Sequence, residues 1–397
     1  MRDEPIKFAL PAVGDEEIEA VIAAIRSDWL TTGPRVKEFE ERLTTSFGSP
    51  ALALNSGTAA MHLALVALGI GPGDIVLTTT MTFCSTVHVI EHVGATPVLV
   101  DVEPDTLNMD PVSLDETINR ILADQPVPGL TRRDGRVVRA VMPVHYGGHP
   151  VDRSILRIAE AHGLAVIEDA AHAIGATWES EPVGSIGGPV QRAVAFSFYA
   201  TKNLVTGEGG ALIGDADLID EARAWSLHGM NADSWRRYSD FGQWYYEVDR
   251  PGFKYNMPDP NAAMGLVQLR RLDEVKAARR EIASTYLDAF ANLELDLPVE
   301  RADVHSAWHL FPIRVRPGAP VDRNQVIEAL SKRSIGSSVH FVPIHRHPFY
   351  RDRYDLRPEH FPVADDAFTR LVSLPLHARL EPRHVERVVA AVTDTLR

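Results

Sequence analysis

Short apolar runs alternate with longer segments of helical periodicity through the first half of the chain. Each run is a few residues long and rich in Val, Ile, Leu and Ala, which is typical of a buried strand. We predict strands at residues 51–54, 75–78, 98–100, 138–142, 164–167 and 193–198. We predict helices between them at residues 58–68, 85–93 and 154–162. This alternation predicts a mainly parallel sheet with helices on both faces.

Two further helices are predicted before the first strand. Apolar residues recur at helical spacing from Ile18 to Ile25, and Asp15 is a candidate N-cap for that helix. A second helix with an apolar face at residues 36–47 follows the break at Thr32-Gly33-Pro34. The Pro- and Gly-containing residues 124–136 are typical of a surface loop.

The pattern changes after about residue 256. The predicted elements there are a long helical stretch at 262–291, strands at 307–315 and 336–341, and helices at 323–332 and 382–396. We therefore expect an α/β fold, in which a large domain with a mainly parallel sheet sandwiched by helices is joined to a smaller C-terminal α/β domain. The expected division places the N-terminal arm and large domain at 1–255. The smaller domain, with its connecting long helix, takes 256–397.

Composition and charge exclude several classes of partner. A chain of 397 residues exceeds the size at which a single core stops growing, which agrees with two domains. The formal net charge is −14, so long-range electrostatics argue against nucleic acid. Cys84 is the only cysteine, which excludes an intrachain disulfide and a cysteine-based zinc cluster. No apolar run has the length of a membrane helix or signal peptide, so we expect a cytoplasmic enzyme without a membrane partner.

Polar groups follow three of the predicted strands. Ser56-Gly57-Thr58 follows the first strand, Asp169 and His172 follow the strand at 164–167, and Ser197 and Lys202 end the strand at 193–198. In parallel sheets, ligands gather at the carboxyl ends of strands. Pyridoxal phosphate (PLP) requires an amine for its aldehyde, an anion for its ring nitrogen and small polar groups for its phosphate. The sequence therefore predicts a PLP site at this edge.

The roles of these residues are set against structural alternatives. Lys202 is the candidate Schiff-base amine, although a lysine after a strand is more often a surface charge. Asp169 is the candidate partner of the ring nitrogen, or else an ordinary helix N-cap. His172 bonds the ring hydroxyl or caps a turn. Backbone N–H groups at Gly57 and Thr58, where a helix begins, are a candidate phosphate cradle.

Two more positions complete the cofactor site. Ser197 can add its hydroxyl to the same phosphate. Phe83 begins the helix after the second strand, where its ring can stack on the pyridine or pack in the core. Cys84 beside it is interpreted as a small buried hydrophobic residue rather than a nucleophile.

Taken together, these residues resemble the DegT/StrS type of PLP-dependent nucleotide-sugar aminotransferase. The resemblance covers nearly the whole chain, with several motifs in order. The matching motifs are Trp29-Leu30-Thr31-Thr32-Gly33-Pro34, Asn55-Ser56-Gly57-Thr58-Ala59, Gly94-Ala95-Thr96-Pro97-Val98, Pro143-Val144-His145-Tyr146-Gly147-Gly148, Glu168-Asp169-Ala170-Ala171-His172, residues 197–210, residues 261–269 and Val339-His340-Phe341.

The resemblance implies a fold of the aspartate aminotransferase superfamily (fold type I) and a homodimer with each active site at the subunit interface. Lys202 would form the internal aldimine and move a proton, in a ping-pong reaction that passes through pyridoxamine 5'-phosphate. The other implied cofactor contacts are Asp169 at the ring nitrogen, His172 at the ring hydroxyl, Phe83 at the ring face, and Gly57, Thr58 and Ser197 at the phosphate. The implied donor is L-glutamate, and the acceptor is a keto group on a nucleotide-linked sugar.

One segment departs from the family pattern. Many relatives carry Gly-Tyr-Asn-Tyr-Arg before the long helix, and that Asn reaches the partner's PLP phosphate. Residues 252–256 here read Gly-Phe-Lys-Tyr-Asn, so Lys254 replaces the Asn and Asn256 replaces the Arg. Lys254 can still neutralise phosphate as a point charge. This version looks closest to enzymes that aminate 4-keto sugars.

The preferred acceptor is a dTDP-4-keto-6-deoxyhexose, since Ala- and Arg-rich chains of this kind recur in antibiotic sugar pathways. A UDP-4-keto-pentose and a 3-keto sugar are the alternatives. Candidate substrate contacts are Thr31, Thr32, Tyr199, His309 and His340. Lys254 and Asn256 are candidate cofactor contacts and are also considered as substrate contacts. The segment with Thr31 and Thr32 can equally be an ordinary turn at a helix end.

Other classes of protein remain as alternatives. Sugar dehydratases on this scaffold have His at the Schiff-base position, so Lys202 argues against them. A non-enzymatic sensor is disfavoured by the intact set of Lys202, Asp169 and Ser197. His340, His345 and His347 have the wrong spacing for a zinc motif, so no metal is expected. No Gly-x-Gly-x-x-Gly follows an early strand, which disfavours a nicotinamide enzyme.

Overall fold

The computed structural model describes residues 4–230 and 246–397. Within them the helices are α1 (Asp15–Arg26), α2 (Pro34–Phe47), α3 (Gly57–Ala67), α4 (Cys84–His92), α5 (Pro111–Leu122), α6 (Ser154–Ala161), α7 (Ala216–Ser226), α8 (Asp259–Arg270), α9 (Leu272–Phe290), α10 (Arg323–Lys332), α11 (Pro348–Arg353), α12 (Pro362–Arg370) and α13 (Pro382–Leu396). The strands are β1 (Ala51–Leu54), β2 (Asp74–Thr79), β3 (Thr96–Val100), β4 (Val137–Met142), β5 (Ala165–Asp169), β6 (Thr177–Trp178), β7 (Glu181–Pro182), β8 (Arg192–Ser197), β9 (Gly210–Gly214), β10 (Leu295–Asp296), β11 (Val304–His305), β12 (Phe311–Val315) and β13 (Leu371–Leu374).

The large sheet has the strand order β1-β9-β8-β5-β4-β2-β3 in the described part of the chain. β9 runs antiparallel to both of its neighbours, and the other adjacent pairs are parallel. Successive side chains of each strand point to opposite faces of the large sheet and enter a separate apolar core on each face. The core that contains Ile75 and Leu77 is called the larger core. Ile75 and Leu77 pack with α2, α5, α6 and α8, whereas Val76 packs with α3, α4 and α7. The predicted mainly parallel sheet with helices on both faces is confirmed.

A smaller antiparallel sheet, β10-β12-β13, carries a separate core, which is called the smaller core. α9, α10 and α13 cover it through apolar residues such as Tyr286, Leu330 and Val388. The N-terminal residue Ile6 pairs with Ile335 and packs into this core. A short three-stranded sheet, β11-β6-β7, lies beside the larger core.

The predicted helical stretch at 262–291 is two helices, α8 and α9, which meet at Arg271. α8 packs against α1 and α2, and its Ala262 and Leu266 belong to the larger core. α9 packs in the smaller core. We therefore place the change of core between α8 and α9, while the division after residue 255 stays a prediction.

Some local predictions were wrong. Residues 336–341 form no strand, because only Ser338 pairs with β13, opposite Ser373. The strand predicted at 307–315 begins at Phe311, since Trp308 has a positive φ of 47° that extended backbone does not allow. The N-cap of α1 is Gly14 rather than Asp15, and the Gly14 N–H donates to the Glu17 carboxylate at 2.7 Å.

No helix within residues 4–230 and 246–397 combines the length and apolar character needed to cross a bilayer.

Asp259 joins the start of α8 to the start of α2. Its buried carboxylate accepts the backbone N–H groups of Gly33 at 2.8 Å, Arg35 at 3.1 Å and Val36 at 3.1 Å. These N–H groups have no acceptor inside α2, because the first turn of a helix leaves its donors unpaired. One side chain thus fixes the segment that carries Thr31 and Thr32.

We expect Asp259→Ala to lower the free energy of unfolding by about 2–4 kcal/mol, since it leaves three backbone donors without their acceptor, one of them, at Val36, buried. Chemical denaturation of the wild type and variant measures this. Asp215→Ala, which removes the N-cap of α7 with one bond to Leu218 N–H, is the matched control with a loss of about 1 kcal/mol. Equal losses in the two variants would contradict the role given to Asp259.

Candidate active site

A cavity of about 650 Å³ opens where β5 and β8 end and where α3 and α4 begin. Both strands deliver their last residues to the same edge, as parallel neighbours must. The predicted site residues that line this cavity are Gly57, Thr58, Phe83, Asp169, His172, Ser197, Tyr199, Lys202, His309 and His340. The structure therefore brings together residues that the sequence separates by more than two hundred positions.

Lys202 lies in the loop that joins β8 to β9. Its backbone N–H donates to Tyr199 O at 2.9 Å, and Thr206 N–H donates to Phe198 O at 2.8 Å, which fixes the loop. Burial lowers the pKa of the Lys202 amine to about 8, and the nearby Asp169 carboxylate opposes that effect only partly. A substantial fraction of the amine is then neutral near physiological pH, as a nucleophile requires.

Asp169 is the last residue of β5, and its side chain is almost fully buried. Its Oδ1 accepts the Ala171 N–H at 3.1 Å, and its Oδ2 accepts the Thr86 hydroxyl at 2.7 Å. Two donors from two different segments therefore orient the carboxylate. The N-cap alternative is not supported by the structure, since residues 170–176 form turns rather than a helix.

Three imidazoles surround the amine. His172 and His309 lie with ring centroids 4.4 Å apart, and burial together with nearby positive groups lowers the pKa of both well below the usual value. Burial, with a further contribution from the Lys202 charge, lowers the pKa of His340 to about 4. All three rings are therefore neutral at physiological pH.

Hydrogen bonds define the tautomers of two of these rings. His172 Nδ1 accepts the Gly147 N–H at 3.3 Å, so its proton is on Nε2. Asn203 Nδ2 donates to Ala307 O at 2.7 Å, which leaves Asn203 Oδ1 as an acceptor. His309 Nδ1, 3.2 Å from that oxygen, must then donate. His172 Nε2 is a donor and His309 Nε2 an acceptor for other groups.

At the start of α3, the backbone lies very close to the ends of β8 and β9. Ser56 is the N-cap, and its hydroxyl accepts the Ala59 N–H at 3.1 Å. A Cβ on Gly57 would lie 2.9 Å from Ser197 Cβ, and a Cβ on Gly210 would lie 2.4 Å from Ser56 C. Only glycine fits at these two positions. The free N–H groups of the first turn and the Ser197 hydroxyl form a cradle suited to phosphate.

Aromatic side chains stand at the opening of the cavity. Phe83 is 59% exposed and Tyr199 is 47% exposed, although both line the cavity. The alternative in which Phe83 is a core residue is therefore wrong. Its ring centroid lies 6.2 Å from that of Phe341. Its stacking on a cofactor ring stays a prediction.

The remaining predicted residues lie outside this cavity. Lys254 Nζ donates to Asn256 Oδ1, and Asn256 Nδ2 donates to Thr32 Oγ1 at 2.7 Å. Thr32 in turn donates to Met257 O at 2.8 Å. Thr31 adjoins this group through its carbonyl, which accepts the Asp259 N–H at 3.0 Å. These four residues form one connected group that does not line the cavity of its own chain.

Several lining residues were not found from the sequence. Phe8 and Ala9 come from the N-terminal arm, and Leu376 follows β13. Nothing local in the sequence marks them, because tertiary packing alone brings them to the cavity. Thr86 was also missed, although two threonines four residues apart at a predicted helix start were a usable signal.

The histidines that prompted the metal alternative have other partners. His340 Nδ1 is 3.0 Å from Ser373 Oγ, and His345 contacts Thr80 and Asp365. Among the described residues, no group of three or more His, Cys, Asp or Glu side chains is placed to hold a metal ion.

Comparison with known families settles the class of protein. The sequence matches the DegT/DnrJ/EryC1/StrS aminotransferase family over residues 11–393. The chain belongs to this family. The resemblance inferred from the motifs is thereby confirmed.

Individual members agree over the full length. The chain is 44% identical to the spore coat polysaccharide biosynthesis protein SpsC of Bacillus subtilis (strain 168), covering 100% of this chain and 98% of SpsC. Spr1654 of Streptococcus pneumoniae, a proposed sugar aminotransferase solved in its PMP-form, is 31% identical with a TM-score of 0.87 and 98% of each chain covered. PseC of Helicobacter pylori, an aminotransferase of pseudoaminic acid biosynthesis, is 28% identical with a TM-score of 0.85 and 99% of each chain covered.

The protein is therefore a PLP-dependent sugar aminotransferase with the fold type I architecture. The expected enzyme class and cofactor are both confirmed. The cavity fits the cofactor, because an amine, a carboxylate and a helix N-terminus converge there. Which of these residues touches which part of PLP stays a prediction.

The Lys202 pKa predicts how fast the apo-aminotransferase takes up PLP. Only the neutral amine attacks an aldehyde, so the uptake rate should rise with pH up to about 8 and level off above it. Stopped-flow absorbance at a series of pH values measures this rate. A rate that is flat between pH 6.5 and 9 would show that the amine is not the titrating group.

Proposed function

We propose that this protein transfers the amino group of L-glutamate to the 4-keto group of a nucleotide-linked sugar, with dTDP-4-keto-6-deoxyhexose as the preferred acceptor. The observation that carries the proposal is the half-buried Lys202 amine, with its lowered pKa, in a large cavity that also holds the Asp169 carboxylate. The family supports a sugar as acceptor.

When bound, PLP supplies the electron sink and carries the amino group between the two substrates. The residues of this chain would hold and serve it. Asp169 would hold the ring nitrogen, His172 Nε2 would donate to the ring hydroxyl, and Phe83 would cover the ring face. Gly57, Thr58 and Ser197 would bind the phosphate.

Lys202 would act at the substrate carbon. Its Nζ, neutral in part because its pKa is about 8, would take the proton from the α-carbon of glutamate. The same atom would then pass a proton to the cofactor. With the three imidazoles neutral, Lys202, whose pKa is about 8, is the candidate base near physiological pH.

The cavity is large enough for more than the cofactor. A volume of about 650 Å³ lies in the usual range for a complete ligand site. Tyr199, His309 and His340 lie on its walls and offer hydrogen bonds to a sugar, with the acceptor Nε2 of His309 suited to a hydroxyl. We propose these three as sugar contacts.

Two other acceptors and one other reaction stay as candidates. A UDP-4-keto-pentose differs from the preferred acceptor in the nucleoside and in the sugar, whereas a 3-keto sugar differs in the ring carbon that would be aminated. A sugar dehydratase is disfavoured, because such relatives have His where this chain has Lys202. The composition of the chain suggested an antibiotic pathway as the destination of the amino sugar. The name of SpsC adds polysaccharide biosynthesis as a second candidate destination.

We also propose a homodimer in which Thr31, Thr32, Lys254 and Asn256 complete the cavity of the second subunit. Lys254, Asn256 and Thr32 form a hydrogen-bonded chain, Thr31 precedes Thr32, and none of the four lines the cavity of its own subunit. Apart from Lys202, no lysine or arginine lines that cavity among the described residues. A diphosphate therefore needs a cation from elsewhere, and Lys254 is suited to supply it.

The acceptor is tested with a panel of dTDP- and UDP-linked 4-keto and 3-keto sugars, with glutamate as donor and mass spectrometry as readout. We expect amination of the dTDP-4-keto-6-deoxyhexose with the highest kcat/KM. The Lys202→Ala variant should lose both the visible absorbance of bound PLP and the turnover. Lys37→Ala, at a lysine with 80% side-chain exposure, is the matched control and should retain both.

Loss of water from the sugar instead of gain of an amine would identify a dehydratase. Turnover by the Lys202→Ala variant would remove the basis of the proposed mechanism. Preference for a UDP-linked or 3-keto sugar would replace the acceptor while leaving the reaction intact.

Subunit sharing is tested by complementation. We expect Lys202→Ala to be inactive alone and Lys254→Ala to be weakly active alone. Co-expressed chains should recover about a quarter of the intact sites, since a mixed two-fold dimer has one complete site. Steady-state assays of the mixed and unmixed preparations measure this. No recovery, with dimers confirmed by sedimentation, would place Lys254 outside the partner's cavity.

A further inference from the structure

Two threonines, Thr82 and Thr86, form a hydrogen-bonded chain that ends on the carboxylate of Asp169. Thr86 Oγ1 donates to Asp169 Oδ2 at 2.7 Å, and Thr82 Oγ1 lies 2.7 Å from Thr86 Oγ1. Both hydroxyls are buried. We call Thr82 and Thr86 the threonine pair.

The direction of these hydrogen bonds follows from the chemistry. An ionised carboxylate has acceptors only, so the single proton of Thr86 must go to Asp169. Thr86 then has only lone pairs for Thr82, which must donate its own proton. The threonine pair is thus a two-step donor chain that ends on Oδ2 of Asp169. Bonds to a charged acceptor are the stronger kind and are aligned by it.

The same segment supplies a second contact to the cavity. Phe83 is the N-cap of α4, so it lies between the two threonines in sequence and reaches the cavity opening. Thr82 lines the cavity as well. Rotation of α4 would therefore move the aromatic ring and the donor to Asp169 together.

Nothing else described here limits rotation of the carboxylate from the Oδ2 side. The Ala171 N–H binds Oδ1 at 3.1 Å, which is a single longer contact. Without the Thr86 hydroxyl the carboxylate would keep one donor and gain freedom about its terminal torsion, which is broad for Asp. An anion that must face a ring nitrogen loses alignment by such rotation.

We propose that the threonine pair is a positioning device that holds the Asp169 carboxylate in line with the cofactor's ring nitrogen. The inference rests on the proposed role of Asp169 in the proposed function. It assigns Thr86 as the residue in direct contact and Thr82 as the residue that orients Thr86.

The test compares Thr86→Val with Thr86→Ser, since valine keeps the shape and removes the hydroxyl, whereas serine keeps the donor. PLP is titrated into each apoenzyme, and the visible absorbance of the bound cofactor is followed against pH. We expect Thr86→Val to raise the PLP dissociation constant about tenfold, the value of one hydrogen bond to a charged group. The midpoint of its absorbance titration should move to higher pH, because a loosely held ring nitrogen withdraws less electron density.

Thr86→Ser should bind PLP within about twofold of the wild type, and Thr82→Val should fall between the two. Thr78→Val is the matched control, since Thr78 is equally buried and donates to Met142 O at 2.7 Å in the interior. It should lower the Tm without moving the absorbance midpoint. If Thr86→Val does not fold, the Ser variant and Thr82→Val still provide the comparison.

An unchanged dissociation constant and midpoint in Thr86→Val would overturn the inference, as would equal shifts in Thr78→Val. These outcomes differ from failure of the proposed function. In that case the wild-type protein itself would bind no PLP or aminate no sugar.

Discussion

Glu168 is the buried charge on which the geometry of the site depends. Its Oε1 accepts both Nε and Nη2 of Arg192, at 2.9 and 2.6 Å, and its Oε2 accepts His145 Nε2 at 2.9 Å. Burial raises the pKa of Glu168, but the Arg192 charge and the His145 bond outweigh it and bring the pKa to about 2. The carboxylate therefore stays ionised and ties β5, β8 and the segment after β4 together. Breaking such a buried pair costs about 3–5 kcal/mol.

The pleat of β5 connects this ion pair to the chemistry. Glu168 and Asp169 are consecutive, so their side chains leave the strand on opposite faces. The Glu168 carboxylate fixes the strand from the interior, and the Asp169 carboxylate faces the cavity from a backbone position that is thereby fixed. A single strand end thus separates the structural anion from the functional one. The Ser197 and Lys202 loop begins from β8, which the same ion pair holds.

The chemistry of the cavity depends on a low density of charge. Burial, with a further contribution from the Lys202 charge, lowers the pKa of His172, His309 and His340, because a second cation nearby is unfavourable in a buried space. The rings then serve as hydrogen-bonding groups rather than as charges. Their tautomers are set by backbone and amide partners, so the cavity presents a fixed pattern of donors and acceptors.

The sequence predicted what depends on local pattern. β1 at residues 51–54 and α10 at residues 323–332 matched their predicted bounds, because apolar period and turn signals are strong there. The cavity-lining residues at strand ends were predictable, since a parallel sheet places those ends together. Residues 336–341 misled, because Val339 and Phe341 pack against an apolar cluster while only Ser338 pairs with a strand. Phe8 and Leu376 required contacts between distant segments, which no local pattern contains.

Arg279 fixes three backbone carbonyls on the smaller-core side of the cavity. It lies on α9 in the smaller core, and its Nη1 donates to the carbonyls of Trp308, His309 and Leu376 at 3.2, 3.2 and 2.8 Å. Leu376 and His309 line the cavity opposite the strand ends of the larger core. Whatever occupies the cavity therefore bridges two separately packed bodies. Ligand binding in such a seam stabilises the whole molecule against heat and proteolysis, because separation of the cores would first require release of the ligand.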